Sequence, residues 1–94
     1  QAAQVLAERE RVKSELDRIA GIVVYPSAAN FLLARVAGGE GAGTRVYERM
    51  KGLGVLVKDF SGGHPLMDNC LRLTIGTPAE NRAMIDALSR ALAP

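Results

Sequence analysis

Apolar side chains recur at helical intervals at the start of the chain, and charged residues stand between them. The apolar positions are Val5, Val12, Leu16 and Ile19, and the charged pairs are Glu8 with Arg11 and Glu15 with Arg18. An apolar stripe opposite a charged face predicts an amphipathic helix over residues 3–20. Gly21 follows where a left-handed C-terminal cap would stand, because glycine adopts a positive φ at little cost.

Two short apolar runs come next. Residues 22–25 stop at Pro26, and residues 31–36 begin after a break at 27–30. Runs of this length bounded by turn-forming residues predict two strands. The second run is apolar on both faces for most of its length, which places it inside a sheet rather than at its edge.

A glycine-rich segment, residues 37–43, leads into a second helix. It lacks the spacing and the Lys-Ser/Thr ending of a phosphate-binding loop, so we interpret it as a flexible connection. Thr44 is expected to cap a helix that ends near Gly52 or Gly54. Residues 55–57 then predict a short strand. The helix capped by Thr44 is expected to bury Val46, Met50 and Leu53.

The last third of the chain carries the sharpest local signals. After a loop at 59–69, residues 71–75 alternate between apolar and polar side chains, as a strand with two different faces does. Thr77, Pro78 and Glu80 then supply an N-cap, a first-turn proline and the glutamate of a capping box. The helix that follows has its buried stripe at Met84, Ile85, Leu88 and Leu92.

The order of these elements predicts an α+β fold. Strand, helix, strand, strand, helix over residues 31–92 matches a split β-α-β unit. The strands 31–36 and 55–58 would be joined by a right-handed crossover, with 71–75 antiparallel between them. We therefore expect a small mixed, mostly antiparallel sheet of three to four strands, with helices on one face.

Arg72 is the charged residue of the central strand, on the face opposite Leu71, Leu73 and Ile75. A guanidinium in the middle of a sheet needs a reason, because desolvating it is costly unless it is paired. Two interpretations stay open on the pattern alone. Arg72 is either a solvated or salt-bridged residue on a half-exposed sheet, or a fork of donors for an incoming carboxylate or phosphate.

Composition narrows the classes of function. The 94 residues suit one domain, and the net charge of +2 is spread along helices instead of forming a basic run. Aromatic residues are too few and too scattered for a base-stacking platform. Cys70 is the sole cysteine, which excludes an intrachain disulfide and fits a reducing cytosol, and no Cys/His cluster has metal-ligand spacing. No apolar run approaches a membrane span, and the N-terminus lacks a signal-peptide pattern.

We therefore expect a cytoplasmic protein with no nucleic-acid or membrane partner and no metal. The chain begins with Gln1 and enters a helical pattern almost at once, which we interpret as a sign that it was cut from a longer chain.

Three stretches resemble the histidinol-phosphate aminotransferases, in the same order and with similar spacing. They are PSAANFLLAR at 26–35, GVLVKD at 54–59 and CLRLTIGTPAEN at 70–81. The Leu-Arg-x-Thr-x-Gly-Thr core of the third is shared with the wider fold-type I aminotransferases, which depend on pyridoxal phosphate. The resemblance covers nearly the whole chain and implies the C-terminal small domain of such an enzyme, over residues 1–94.

In that family the arginine matching Arg72 anchors the anionic end of the substrate. That end is the phosphate of histidinol phosphate or the α-carboxylate of glutamate and 2-oxoglutarate. A second cation, commonly an arginine, matches Lys58, where lysine supplies charge without bidentate geometry. The resemblance therefore implies Arg72 and Lys58 as substrate-binding residues. For His64, in the intervening loop, a solvated histidine is favoured over a substrate contact.

The resemblance places the cofactor machinery elsewhere. The family binds pyridoxal 5′-phosphate through a lysine of its large domain, with an aspartate on the pyridine nitrogen, and none of those motifs is present here. Lys13 and Lys51 belong to amphipathic helices and are interpreted as solvated. The expected partners are the large domain of the same enzyme, a small-molecule substrate and, for the full-length protein, a second copy in a homodimer. This chain alone, without a catalytic residue, is expected to be inactive.

Three alternatives remain open. The parent could be an aromatic amino acid aminotransferase, since the discriminating pocket lies mostly outside these residues. A free-standing ferredoxin-like module could use the same open sheet face to bind an anion or to dimerise. An RNA-binding sheet ranks last, because the stacking aromatics are missing from the needed strand positions.

Overall fold

The computed structural model describes residues 3–27 and 29–94. Gln1, Ala2 and Ala28, the last of which falls in the predicted break at 27–30, lie outside the described residues. The helices are α1 (Ala3–Leu16), α2 (Ala42–Gly52) and α3 (Pro78–Leu92). The strands are β1 (Ile22–Tyr25), β2 (Phe31–Val36), β3 (Lys58–Asp59) and β4 (Cys70–Thr74), with a 3-10 turn at Pro65–Met67. The predicted α+β class is confirmed.

The four strands form one sheet in the spatial order β1-β2-β4-β3, and each neighbouring pair is antiparallel. Because β2 and β3 both run antiparallel to β4, they run parallel to each other, and α2 lies in the connection between them. This is the predicted split β-α-β arrangement. The predicted interior positions of β2 and β4 are also confirmed.

The core lies between the three helices and one face of the sheet. Strand side chains alternate, so every second residue of β2 is buried, as are Leu71 and Leu73 of β4. Helix α3 begins with the predicted capping box: Glu80 N–H donates to Thr77 Oγ1 at 3.2 Å, and Thr77 N–H donates to Glu80 Oε1 at 2.8 Å. Such a cap contributes about 0.5–2 kcal/mol. The residues that α3 buries in the core are Met84, Ala87, Leu88 and Ala91, with Ile85 and Leu92 partly buried.

Helix α1 ends earlier than predicted, at Leu16 instead of residue 20. The reason is a change of hydrogen-bond pattern. Asp17 N–H still bonds the carbonyl four residues back, but Ile19 N–H bonds that of Leu16, three residues back. This tighter winding brings Ile19 against the core. Gly21 is left-handed as predicted, with φ 93°, but it stands beyond this turn.

The predictions around α2 were partly wrong. The helix begins at Ala42 after a left-handed Gly41, and Thr44 does not cap it, because its hydroxyl donates to Asp59 Oδ2 at 2.7 Å. Leu53 stands at the C-cap and is exposed instead of buried.

The third strand also begins later in the chain than predicted. Residues 55–57 form no ladder pairs, and β3 holds only Lys58 and Asp59. Val55 N–H bonds the Met50 carbonyl at 3.0 Å, so the end of α2 takes the donor that a longer strand would use.

Candidate anion-binding site

Arg72 lies in a row of four side chains that crosses the whole sheet. The register places Tyr25 opposite Leu33, Leu33 opposite Arg72, and Arg72 opposite Lys58. Since opposed residues in an antiparallel pair point to the same face, all four belong to the face that the helices leave open. The two residues predicted to bind substrate are therefore brought together on adjacent strands, and both are exposed.

The two cations have aromatic neighbours but no acidic ones. The guanidinium carbon of Arg72 lies 5.8 Å from the centre of the Phe31 ring, and Lys58 Nζ lies 5.4 Å from that of Phe60. Within residues 3–27 and 29–94, no carboxylate forms an ion pair with either one, and neither donates a hydrogen bond. Aromatic faces orient a cation without occupying its N–H donors. Both side chains are thus left able to bind an anion.

Asp59, next to Lys58, does not neutralise it. Its carboxylate accepts hydrogen bonds from the Thr44 hydroxyl and from Ser61 N–H at 2.7 and 2.9 Å. Burial raises the pKa of Asp59, but these hydrogen bonds outweigh burial and the net pKa is lowered. The carboxylate is therefore committed to anchoring α2 and the start of the loop. Like charges directly opposite on neighbouring strands are destabilising, so the pair Lys58 and Arg72 favours an anion between them.

A second arginine of the open face, Arg35, was not singled out as a site residue by the sequence. It lies opposite Cys70, one row from Arg72. Its Nη1 donates to the Asp68 carbonyl at 2.8 Å, its Nη2 to the Leu66 carbonyl at 2.7 Å, and its Nε to the Tyr25 hydroxyl at 3.2 Å. The Tyr25 contact also raises the pKa of Arg35. The signal in the sequence was a charged residue within an otherwise apolar strand.

His64 serves the loop. Its Nδ1 accepts the Leu66 N–H at 3.1 Å and thereby caps the 3-10 turn, while the residue stays exposed. This contact gives His64 a local structural role.

Two clefts of the domain lie away from the cations. One of about 620 Å³ separates the starts of α1 and α3, and another of about 490 Å³ lies between Gly41 and Gly62. A smaller one of about 170 Å³ reaches Thr74 but neither Arg72 nor Lys58. The cationic row is therefore an open surface that needs a second wall from outside the chain to enclose a small molecule.

The described residues do not form a pyridoxal phosphate site by themselves. Lys13 is paired with Asp17 at 2.8 Å, and Lys51 is exposed on α2. Lys58 stands on the open face with no buried acidic group beside it to meet a pyridine nitrogen. The clefts described above contain no lysine. None of the three lysines thus has the enclosed surroundings that this cofactor requires.

Sequence comparison decides the family. The chain is 45% identical over 92 residues to a histidinol-phosphate aminotransferase 2 from Cupriavidus pinatubonensis, with 98% of this chain and 24% of that protein covered. It is 49% identical over 88 residues to a histidinol-phosphate aminotransferase from Methylibium petroleiphilum, with 94% and 23% covered. The chain is a small segment of a fold-type I aminotransferase, and nearly all of it is similar to histidinol-phosphate aminotransferases. It spans about a quarter of the length of the curated relatives it matches. No family model matches the chain.

Solved structures agree with this family. A histidinol-phosphate aminotransferase from Clostridium acetobutylicum superposes with a TM-score of 0.82 at 25% identity, covering 94% of this chain and 26% of that one. An L-threonine-O-3-phosphate decarboxylase from Porphyromonas gingivalis gives a TM-score of 0.81 at 27% identity, covering 95% and 27%. A decarboxylase from Sulfurospirillum multivorans gives 0.84 at 26% identity, covering 96% and 25%. This fold is therefore found as one part of larger enzymes. Among the described residues, no helix is long and apolar enough to cross a membrane.

Proposed function

We propose that the chain is the C-terminal small domain of a pyridoxal-phosphate-dependent aminotransferase that moves an amino group from L-histidinol phosphate to 2-oxoglutarate. In this proposal Arg72 anchors the anionic end of each substrate, with Lys58 beside it. The observation that carries the proposal is the uncompensated cationic pair on the open face. The names of the relatives give the substrate class.

A guanidinium fork suits both substrates. Phosphate and carboxylate each present two oxygens in the spacing of two guanidinium N–H groups, so one arginine can hold either anion in turn. Lys58 adds a point charge that favours the more highly charged phosphate. A charge-assisted contact of this kind contributes about 1.5–3 kcal/mol.

The remaining three quarters of the parent enzyme would supply the second wall and the cofactor. Pyridoxal phosphate, when bound there, supplies the electron sink for amino transfer. The residues of this chain bind the substrate by its anion and orient its amino end away from the sheet. The exposed apolar side chains Val23 and Leu56, which are 57% and 74% exposed, suit a surface that another domain covers.

A second reaction class has support of its own. The match to the L-threonine-O-3-phosphate decarboxylase shows that the same fold occurs in an enzyme named for a phosphorylated amino acid. An open cationic pair would serve such a substrate equally well. The higher identity to aminotransferases favours amino transfer.

The test is a product assay on the purified full-length parent. We expect a cofactor absorbance band that shifts when histidinol phosphate is added, and glutamate formation when 2-oxoglutarate follows. L-threonine-O-3-phosphate is the matched comparison substrate. Release of carbon dioxide from it, without glutamate formation from histidinol phosphate, would replace the aminotransferase proposal with the decarboxylase one. Absence of any cofactor band would remove both.

A further inference from the structure

Residues 64–68, which we name the 64–68 turn, are held to the sheet by one side chain. Within the turn, Met67 N–H bonds the His64 carbonyl and Asp68 N–H bonds the Pro65 carbonyl. Among the described residues, the hydrogen bonds that join the turn to the rest of the domain are the two from Arg35. Their acceptors, the Leu66 and Asp68 carbonyls, lie 31 and 33 residues from Arg35 along the sequence. A single guanidinium therefore fixes where the turn stands.

The base of the same loop is fastened independently. Asn69 accepts the Gly43 N–H through its side chain at 2.9 Å and donates to the Gly39 carbonyl at 2.7 Å. A Cβ on Gly43 would come within 2.6 Å of the Asn69 Cα, so the two backbones are in close contact there. Losing the Arg35 bonds would therefore release the turn without detaching the loop from the domain.

Cys70 marks where the open face of the sheet begins to be covered. Cys70 is two residues before Arg72 on the same strand, so its side chain points to the same face, yet it is fully buried. Arg35 lies opposite it and reaches the turn. Two residues along a strand span about 7 Å. The covered part of the face thus begins within that distance of Arg72.

We propose that Arg35 is a positioning residue for substrate binding, because it holds the 64–68 turn as one wall of the Arg72 and Lys58 anion site. Leu66, 74% exposed at the tip of this wall, is the side chain offered to the substrate. The proposal rests on the proposed function, since it takes Arg72 and Lys58 as the anion site. In this proposal Arg35 acts through the turn and not on the anion, because each of its three guanidinium nitrogens already donates one hydrogen bond, to Tyr25, Leu66 or Asp68.

The test uses the full-length parent enzyme with its cofactor. Arg35→Met keeps the length of the side chain but removes its donors. We expect the amides of Met67 and Asp68 to exchange hydrogen faster, and KM for histidinol phosphate to rise about five- to tenfold with kcat nearly unchanged. Arg35→Lys should restore part of the KM effect. Arg45→Met is the matched control, because within residues 3–27 and 29–94 Arg45 donates only to the nearby Glu40 carbonyl.

The outcomes distinguish a failure of the Arg35 proposal from a failure of the proposed function on which it rests. Unchanged hydrogen exchange in Arg35→Met would overturn the claim that Arg35 holds the 64–68 turn. Faster exchange with an unchanged KM, or with a fall in kcat instead of a rise in KM, would overturn the claim that the turn is a wall of the anion site. If Arg72→Ala leaves KM unchanged, the proposed function fails whatever Arg35 does. Should Arg35→Met not fold, Leu66→Ala probes the wall directly. It is expected to raise KM about threefold through lost apolar contact, while Leu53→Ala does not. An unchanged KM for Leu66→Ala would also overturn the wall.

Discussion

Arg35 and Arg72 lie on the same face of adjacent strands, one row apart, and their guanidinium groups have different surroundings. Arg35 donates to two backbone carbonyls and a tyrosine hydroxyl. Arg72 donates to none of the described residues and rests near the Phe31 ring. Both residues are arginines on the open face of the sheet. The difference therefore comes from the surrounding chain, which covers Arg35 and leaves Arg72 open.

This comparison separates two uses of a cation on a sheet. When its donors are occupied by carbonyls, an arginine cross-links segments and stabilises their arrangement. When its donors are unoccupied and a second cation stands opposite, it favours an anionic ligand. We therefore expect a substitution to change stability and loop position at Arg35, and ligand affinity at Arg72.

The largest expected effect is on Arg72. In the full-length parent, Arg72→Ala should raise KM for histidinol phosphate roughly ten- to hundredfold, because one charge-assisted contact is lost. Thermal unfolding of the 94-residue chain should be unchanged, since the exposed side chain makes no hydrogen bond within the described residues. Arg18→Ala is the control, with both quantities unchanged, because the exposed Arg18 side chain forms no hydrogen bond or ion pair within the described residues. A lowered unfolding temperature without a change in KM would give Arg72 the role assigned to Arg35.

A substitution on the helix-covered side of the sheet should lower stability and leave KM unchanged. Thr77→Ala removes the hydroxyl that accepts the Glu80 N–H, and the free energy of unfolding should fall by about 0.5–2 kcal/mol. KM should stay the same, because the cap lies away from the cationic row. Urea denaturation measures the first quantity and steady-state kinetics the second. Thr77→Ser, which keeps the hydroxyl, should behave like the wild type; a large loss there would show that the cap bond is not the cause.

An arginine at position 58 should change KM less than Arg72→Ala does, and in the opposite direction. Lys58→Arg introduces bidentate geometry beside Arg72, so KM for histidinol phosphate should fall by about two- to fivefold. Lys58→Met should raise it. Lys51→Arg on α2 is the matched control and should have no effect. If Lys58→Met binds substrate as well as the wild type, Arg72 acts alone.

The pH dependence of stability should come from the helix side and not from the open face. Hydrogen bonds from Arg11 and Asn81 lower the pKa of Glu8 from 4.5 to about 2, and the capping box lowers that of Glu80. The unfolded chain therefore binds more protons between these pH values, so stability is complete above pH 4.5 and decreases as the pH falls towards 2. Thermal unfolding of Glu8→Gln should depend less on pH in this window. An equal dependence in variant and wild type would exclude Glu8 as a source.

Local patterns predicted more of this molecule than long-range ones did. The α3 cap and the two-faced strand β4 were predicted because a few neighbouring residues determine them. The position of β3 was wrong because the Met50 carbonyl, at the end of a helix, takes the Val55 N–H. The tether by Arg35 could not be predicted, because its acceptors are backbone carbonyls that any sequence offers. Arg72 was singled out by the pattern of its strand and Lys58 through the family resemblance, and only the register shows that they are directly opposite.

The most direct measurement of the central claim compares two substrates that differ only in the phosphate. In the full-length parent, kcat/KM for histidinol phosphate is divided by kcat/KM for histidinol, in the wild type and in Arg72→Ala. If Arg72 anchors the phosphate, this ratio should fall roughly ten- to hundredfold in the variant, because the dephosphorylated substrate never made the contact. An equal ratio in the two proteins would contradict the account, since Arg72 would then contribute nothing specific to the anion.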